Sequence, residues 1–235
     1  MPELFTYQGN ELELFQHATQ WKNYFSKQLK PYIKGDVLEA GAGIGSTTLL
    51  LNDGKNSSWL MLEPDDEMSS LLEKKLNAKE FPANCRIKKG TIENVQSTFD
   101  TIIYIDVLEH IAIDTEELQK AASLLNDGGH IIVLSPAFQF LYSPFDKAIG
   151  HYRRYNKRTL RALTPARLAL ISNRYYDSVG YFASIVNKLF LRQQYPTQKQ
   201  VLFWDRWMVP VSKITDRLFF HAFGKSIIGI WQKNK

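Results

Sequence analysis

Short apolar runs alternate with amphipathic segments over the first 136 residues of the chain. The apolar runs end at glycine, proline or acidic residues, which is typical of buried strands, and the segments between them have the spacing of helices. Strands that alternate with helices in this way predict βαβ units and a parallel sheet. The predicted strands are residues 36–40, 59–62, 85–89, 101–105 and 130–135, and the predicted helices are residues 12–29, 46–51, 65–76 and 115–125.

The pattern continues beyond Pro136 without a repeat, a low-complexity segment or a flexible linker. It predicts helices over residues 158–168, 182–191 and 201–220, and strands over residues 169–180 and 226–231. We therefore expect a single domain over residues 1–235, with a helical lead-in (1–35), a core (36–136) and a C-terminal part (137–235).

Composition supports a globular protein and excludes several other classes. The 235 residues are 44% hydrophobic and 23% charged, which excludes a disordered or collagen-like chain. The one cysteine, Cys85, is expected in the core, and no Cys/His cluster predicts a metal site. The N-terminus lacks the pattern of a secretory signal, and no apolar stretch approaches the roughly 18 residues of a spanning helix. These features predict a soluble, cytoplasmic protein.

The net charge of +5 is divided unevenly along the chain. Residues 1–140 carry 12 Lys+Arg and 20 Asp+Glu, a balance of −8, whereas residues 141–235 carry 17 and 4, a balance of +13. The same C-terminal residues hold 17 of the 30 aromatic side chains. This division predicts that a partner surface or a second structural layer begins near residue 140.

A glycine-rich turn follows the first predicted strand. Gly41, Gly43 and Gly45 allow the backbone to turn tightly and to approach a ligand where a Cβ atom would intrude. Glu63 ends the next strand, and a carboxylate there can accept both hydroxyl hydrogens of a ribose. Together these features predict a nucleoside-binding crevice.

The spacing of the turn discriminates between nucleosides. Dinucleotide-binding domains use G-x-G-x-x-G, whereas this chain has G-x-G-x-G-S preceded by Glu39. An acidic side chain at that position would repel a pyrophosphate but suits the cationic amine of an amino-acid moiety. The pattern therefore points to S-adenosylmethionine as the cofactor.

From residue 36 to residue 136 the chain resembles the class I S-adenosylmethionine-dependent methyltransferases, whose first motif is an acidic residue followed by G-x-G-x-G. The resemblance implies a Rossmann-like α/β fold with a mainly parallel seven-stranded sheet, helices on both faces, and S-adenosylhomocysteine as the product. The segment from Ile105 to His110 resembles the S-V-L-E-H stretch of small-molecule methyltransferases, whereas Thr91 stands where the family often has Asp. The implied cofactor-binding residues are Glu39, Gly41, Gly43, Gly45, Glu63, Thr91, Ile92, Asp106 and Val107.

A second polar segment, residues 143–155, follows the fifth predicted strand. Its D-x-x-x-G-H-x-R-R-Y stretch resembles a methyltransferase subgroup associated with bacterial glycan and glycolipid genes. His151 or Asp146 can take a proton from an acceptor, with His110 as a third catalytic candidate. The alternative is a structural unit in which Asp146 pairs with an arginine and the tyrosines lie in the core. The candidate acceptor-binding residues are Tyr142, Arg153, Arg154 and Tyr155.

The expected acceptor is a small molecule, a glycan or a lipid-linked compound with negative charge, methylated on oxygen or nitrogen. Base methylation of nucleic acid is disfavoured, because the residues after the fourth strand are Asp106-Val107-Leu108-Glu109 and contain neither a Pro-Pro nor a Pro-Cys motif. Residues 201–220 combine Trp and Phe with basic groups, which suits either peripheral contact with the inner membrane surface or packing on the sheet. A weakly catalytic scaffold that docks a membrane or an acidic partner, and an RNA methyltransferase, stay open as alternatives.

Overall fold

The structure, a computed structural model, describes residues 14–15, 17–191 and 195–234. Within these residues seven strands form one sheet. The strands are β1 (Asp36–Ala40), β2 (Ser58–Glu63), β3 (Cys85–Lys89), β4 (Phe99–Ile105), β5 (Leu125–Pro136), β6 (Leu168–Tyr176) and β7 (Ser226–Lys233). The helices are α1 (Thr19–Leu29), α2 (Ser46–Leu51), α3 (Asp66–Asn77), α4 (Asp114–Ser123), α5 (Pro144–Ala148), α6 (Lys157–Ala162), α7 (Ser178–Val186), α8 (Gln198–Phe203) and α9 (Val209–Leu218).

The strand order is β3-β2-β1-β4-β5-β7-β6. β1 to β5 are parallel, whereas β7 inserts antiparallel between β5 and β6. This arrangement confirms the expected Rossmann-like α/β fold with a mainly parallel seven-stranded sheet. Because the order reverses between β1 and β4, the crevice for a ligand lies at the carboxyl ends of these two strands.

The two faces of the sheet bury separate apolar clusters. On β4, Ile102 and Tyr104 belong to one cluster and Ile103 to the other, as the alternation of strand side chains requires. α4 and α6 contribute to the first cluster, whereas α1, α2, α3 and α9 contribute to the second. Helices therefore cover both faces, and Cys85 is buried in the second cluster as expected.

The elements before Pro136 lie close to their predicted positions, whereas four predictions beyond it are wrong in extent. The helix predicted over residues 182–191 begins at Ser178 as α7 and continues as a π-helical turn over Asn187–Leu191. The helix predicted over residues 158–168 is α6, which ends at Ala162 ahead of Pro165. The strand predicted over residues 169–180 ends at Tyr176, because Asp177 begins α7 by accepting a hydrogen bond from the Gly180 amide. The helix predicted over residues 201–220 is divided into α8 and α9 by a π-helical turn, Trp204–Met208.

Two buried aspartates join the C-terminal elements to the first helix. Asp205 accepts hydrogen bonds from the backbone amides of Gln20 and Trp21, which lie in the first turn of α1. Asp216 accepts one from the hydroxyl of Tyr24 at 2.9 Å. Since the first four amides of a helix lack partners within the helix, Asp205 caps α1 from 185 residues away. Of the predicted helix over residues 12–29, residues 14–15 are helical, residues 17–18 are not, and α1 begins at Thr19; residues 12, 13 and 16 lie outside the described residues.

Candidate active site

The glycine turn lies at the carboxyl end of β1, and side chains pack closely against its backbone. Gly41 has a φ of +65°, and a Cβ atom there would lie 2.6 Å from Cγ2 of Val107. Gly45, with a φ of +81°, begins α2, and its Cβ would lie 2.4 Å from the ring of Phe81. Side chains are therefore excluded at both positions by conformation and by space. The turn is the kind of cradle that a nucleoside cofactor needs, and the predicted residues fit such a ligand.

Glu63 reaches this turn from the end of β2. Its Oε2 atom accepts a hydrogen bond from the Gly43 amide at 2.7 Å, and its Oε1 atom accepts one from the Asp65 amide at 3.0 Å. Burial raises the pKa of this carboxyl group, and the two amide hydrogen bonds oppose that rise. The side chain is buried, and its carboxylate is held against the glycine turn, where it was predicted to bind ribose hydroxyls.

Glu39 lies deeper than its predicted role in cofactor binding requires. Only 2% of its surface is exposed, and its Oε2 atom accepts hydrogen bonds from the hydroxyl of Thr48 and, at 2.8 Å, from the indole of Trp59. Burial raises its pKa to about 7 despite these two donors. Glu39 therefore connects β1 by hydrogen bonds to Thr48 of α2 and Trp59 of β2.

The remaining predicted cofactor residues follow β3 and β4. Thr91 is exposed and caps a short 3₁₀ turn, Ile92–Asn94, whereas the side chain of Ile92 is buried in the core. Asp106 adopts a left-handed conformation with a φ of +53° directly after β4. Its side chain is exposed, but desolvation by the surrounding protein raises its pKa to about 6, and the nearby charge of Lys225 opposes that rise.

Asp146 is the centre of the second polar segment. It pairs with Arg154 through two hydrogen bonds of 2.7 and 2.9 Å, and it accepts further hydrogen bonds from the amide and hydroxyl of Ser143. Its Oδ1 atom lies 3.0 Å from Nδ1 of His151. Burial would raise the pKa of Asp146, but these partners outweigh it and hold the pKa well below its usual range. Asp146 is therefore an ionised carboxylate that orients His151.

The predicted acceptor-binding residues are bonded within the chain. The hydroxyl of Tyr142 donates to the carbonyl of His151 at 2.6 Å. Arg153 and the hydroxyl of Tyr155 both contact the Asp114 carboxylate at 2.7 Å, and Tyr155 is buried. Arg154 is engaged by Asp146 as described. These contacts match much of the structural alternative for this segment, although Tyr152 is exposed instead of lying in the core.

The contacts of Asp146 place the imidazole of His151 against that of His110. Their rings pack edge to face with centroids 4.5 Å apart. Glu109, which the sequence analysis did not single out, lies beside them: its Oε1 atom is 3.9 Å from Nε2 of His151, and its Oε2 atom accepts a hydrogen bond from Ser135 at 2.9 Å. Burial raises the pKa of Glu109 and lowers that of His110 to about 4. The available signal was the adjacency of Glu109 and His110 after β4.

Lys225 is a second residue that sequence reasoning missed. Burial lowers the pKa of Lys225, and electrostatic attraction to Asp106, Asp146 and Asp177 partly offsets this decrease. The ammonium group also lies 4.6 Å from the ring centroid of Trp204. No local sequence pattern marks this lysine as a site residue. It lies near these aspartates only because β7 inserts antiparallel beside β5, which places the start of β7 next to the carboxyl end of β5.

Part of the chain matches a known protein family. Residues 38–131 match a family model described as a methyltransferase domain. No curated protein matches the chain. The matched residues run from β1 into β5, so the match to a methyltransferase domain covers the strands that carry the glycine turn and the polar residues after β4.

Solved structures share the fold at low sequence identity. An S-adenosylmethionine-dependent methyltransferase from Clostridium acetobutylicum is 14% identical, with a TM-score of 0.57 and coverage of 93% of this chain and 92% of that one. Coclaurine N-methyltransferase bound to N-methylheliamine and S-adenosylhomocysteine is 13% identical, with a TM-score of 0.59 and coverage of 92% and 72%. A Haloferax volcanii protein solved with the Trm112 methyltransferase activator is 13% identical, with a TM-score of 0.65 and coverage of 96% and 95%.

Proposed function

We propose that the protein transfers a methyl group from S-adenosylmethionine to a hydroxyl oxygen of a glycan or lipid-linked acceptor. The observation that carries the proposal is the convergence of Glu109, His110 and His151 at the carboxyl ends of β4 and β5, beside the predicted cofactor crevice. Methyl transfer to a hydroxyl requires the loss of its proton, and this group contains the acceptor atoms that such a step needs. Transfer to nitrogen is the alternative that the experiment below distinguishes.

The cofactor would be held by residues that surround the glycine turn. The backbone at Gly41, Gly43 and Gly45 would approach its methionine part, and Glu63 would accept the ribose hydroxyls. Thr91 and the backbone of Ile92 would lie beside the adenine, with Asp106 and Val107 opposite the turn, and Glu39 would support the turn from below. When bound, the sulfonium supplies an electrophilic methyl group.

Asp146 and its partners act on the acceptor through His151. The bidentate pair with Arg154 keeps Asp146 ionised, and the carboxylate then fixes the Nδ1 side of the imidazole. Nε2 is directed toward Glu109, where the acceptor hydroxyl would bind. Tyr142 supports the same loop through the His151 carbonyl. In this proposal Asp146, Arg154 and Tyr142 position His151, and Arg153 and Tyr155 hold the loop to Asp114.

We also propose that the acceptor is reached at an anionic membrane surface. All four acidic residues of the C-terminal part, Asp146, Asp177, Asp205 and Asp216, are buried, so no Asp or Glu side chain between residues 141 and 235 offsets its exposed lysines and arginines. No helix among the described residues has the length and apolar character needed to cross a membrane. Contact would therefore be peripheral.

The surface suited to this contact runs along α8, the π-helical turn and α9. Its apolar stripe has one residue per turn, each between 48 and 70% exposed: Phe203, Trp207, Val211, Ile214 and Leu218. A neighbouring groove of about 650 Å³ between α1 and α9 is lined by Lys27, Lys213 and Arg217. Apolar side chains flanked by cations match the acyl and headgroup layers of an anionic bilayer.

The acceptor class is tested with methyl-labelled S-adenosylmethionine and fractionated cell extract. We expect label in the glycan or lipid fraction as an ether stable to mild base, lost in His151→Ala and Glu63→Ala. Label on nitrogen, or in RNA or protein, would overturn the proposed acceptor. Calorimetry separates the two variants: Glu63→Ala should lose S-adenosylhomocysteine binding, whereas His151→Ala should keep it.

Membrane contact is tested by sedimentation with vesicles of phosphatidylglycerol and phosphatidylcholine. The wild type should bind the anionic vesicles, and binding should weaken as salt rises because the cations are screened. Trp207→Ser combined with Ile214→Ser should reduce binding at least tenfold, whereas Leu71→Ser, which changes an exposed leucine on α3, should not. Equal binding by all three proteins would contradict this surface.

A further inference from the structure

Glu109, His110 and His151 each present one metal-ligating atom, and the three atoms lie within 4.8 Å of one another. We propose that this group binds a divalent transition-metal ion such as Zn²⁺. The two histidines come from different segments, His110 from the turn after β4 and His151 from the loop after α5. The site therefore forms only when the fold brings these segments together.

The first argument is an unsatisfied carboxylate oxygen. Glu109 is fully buried, and its Oε1 atom has no hydrogen-bond partner among the described residues, although Oε2 is bonded to Ser135. Leaving a buried polar oxygen without a hydrogen-bond partner is costly, so such an atom needs an explanation. A cation at Oε1 would satisfy it.

The second argument is the orientation of His151 toward that oxygen. Asp146 is held as a carboxylate by Arg154, and a carboxylate can only accept hydrogen bonds. Nδ1 of His151 then donates its proton to Asp146, and Nε2 is the nitrogen turned toward Glu109. Nε2 and Oε1 face each other at 3.9 Å, which is too long for a hydrogen bond. A metal ion between these two atoms would be coordinated by both.

The third argument is the set of partners on the far side of each ring. Histidines that bind metals usually use their other nitrogen to hold a carboxylate or a backbone carbonyl, which fixes the ring. His151 holds Asp146, and His110 is hydrogen-bonded to the backbone of Gly150. Both rings are thus anchored in the manner of metal ligands.

The donor set selects the class of ion. Two imidazoles and one carboxylate suit Zn²⁺, Fe²⁺ and related ions better than Mg²⁺ or Ca²⁺, which prefer oxygen. Zinc lies about 2.1 Å from such ligands, so tetrahedral coordination places them about 3.4 Å apart, and the 3.9 Å between Nε2 and Oε1 would shorten by about 0.5 Å on binding. Three protein ligands also leave a coordination position open for a water or an acceptor hydroxyl.

The consequence for catalysis rests on the proposed function, whereas ion binding does not. A hydroxyl bound to the ion loses its proton to solvent water more readily, as water does on catalytic zinc. Its oxygen forms the new C–O bond as the C–S bond of the sulfonium breaks, and the bonding pair stays on sulfur. His151 then serves as a ligand, and the ion promotes the loss of the hydroxyl proton that the proposed function assigns to Glu109, His110 and His151.

The test uses Co²⁺ as a spectroscopic probe on untagged, full-length protein freed of metal by a chelator. We expect one Co²⁺ per chain, a visible absorption band, and displacement by Zn²⁺. Glu109→Gln, His110→Ala and His151→Ala should each weaken binding at least 100-fold, whereas His17→Ala, which changes an exposed histidine before α1, should not. No binding by the folded wild type, or equal binding by all variants, would overturn the site.

Folding and function are controlled separately. Circular dichroism shows whether each variant is folded, and Zn²⁺ should raise the melting temperature of the wild type but not of folded Glu109→Gln. S-adenosylhomocysteine binding is measured on the metal-free protein. If S-adenosylhomocysteine binds and Co²⁺ does not, the metal inference fails and the proposed function stands. If Co²⁺ binds and S-adenosylhomocysteine does not, the proposed function fails and the metal inference stands.

Discussion

Nδ1 of His151 lies 3.0 Å from Oδ1 of Asp146, and the same carboxylate pairs with Arg154. The contact fixes both the tautomer and the direction of the imidazole. It explains why a segment rich in charged groups leaves so few of them available: Asp146 and Arg154 are used to present one nitrogen of His151 to Glu109.

Asp146→Asn tests this relationship. The amide loses the charge that keeps the proton on Nδ1, so we expect kcat to fall by about 10- to 100-fold, the range found for partners of functional histidines. Affinity for S-adenosylhomocysteine should not change, because Asp146 does not border the glycine turn. Steady-state kinetics and calorimetry provide the measurements, with Asp127→Asn, an exposed site in the first residues of β5, as the control. A fall in cofactor affinity equal to the fall in kcat would contradict the assignment.

Glu39 should make stability depend on pH. In the folded chain it keeps its proton up to about pH 7, whereas in the unfolded chain it releases it near 4.5. The folded state therefore binds more protons between these values, so the free energy of unfolding should decrease as pH rises from about 4.5 to 7. Glu39 alone should lower the free energy of unfolding by about 3 kcal/mol over this pH range.

Glu39→Gln should remove this part of the pH dependence, since the amide oxygen can still accept from Thr48 and Trp59. Urea unfolding at several pH values measures it as the difference between variant and wild type. Glu67→Gln, at an exposed position on α3, is the matched control. A constant difference across the pH range would show that Glu39 does not titrate in that window.

Tyr24 and Asp216 should contribute unequally to stability. Asp216 is buried and accepts hydrogen bonds from the Tyr24 hydroxyl and from the amides of Asp177 and Ser178. Tyr24→Phe removes one donor and should cost about 1 kcal/mol, whereas Asp216→Ala leaves three buried donors unpaired and should cost about 3 kcal/mol or more.

Urea unfolding measures both costs, and Tyr152→Phe, which removes the hydroxyl of an exposed tyrosine, should have no effect. If Asp216→Ala cost no more than Tyr24→Phe, the aspartate could not be what joins α7 and α9 to α1.

Gly41 tests the glycine turn through its contact with Val107. Gly41→Ala places a methyl group 2.6 Å from a valine carbon, in a backbone conformation with a φ of +65°. We expect the variant to lose stability by about 2 to 3 kcal/mol and cofactor affinity by at least tenfold. Adding Val107→Ala should restore part of the stability because it relieves the clash but not the backbone strain.

Gly54→Ala distinguishes the steric clash with Val107 from the backbone strain at positive φ. Gly54 has a similar φ of +79°, but the nearest atom to its Cβ would be 3.9 Å away, an ordinary contact. It should therefore show the conformational cost alone, about 1 to 2 kcal/mol, with cofactor affinity unchanged. An equal loss in both glycine variants would mean that the Val107 contact has no effect.

Local sequence determined much of this protein. The periodicity of apolar residues predicted all seven strands, and the spacing of Gly41, Gly43 and Gly45 with Glu63 predicted the fold and the cofactor. These features are readable because strand alternation, tight turns and helix starts depend on neighbouring residues. The charge division near residue 140 could also be read from the sequence, but the burial of all four acidic residues of the C-terminal part could not.

Tertiary structure decided how the charged groups are used. The four aspartates of the C-terminal part could have neutralised its surface, but they are buried as partners of Arg154, Tyr24, Trp204 and backbone amides. Glu109 and His151 are 42 residues apart, and whether their atoms face each other depends on how the loop after β5 returns over β4. Such pairings depend on strand order and register, which no local pattern encodes, so only the folded chain shows which polar residues remain available for chemistry.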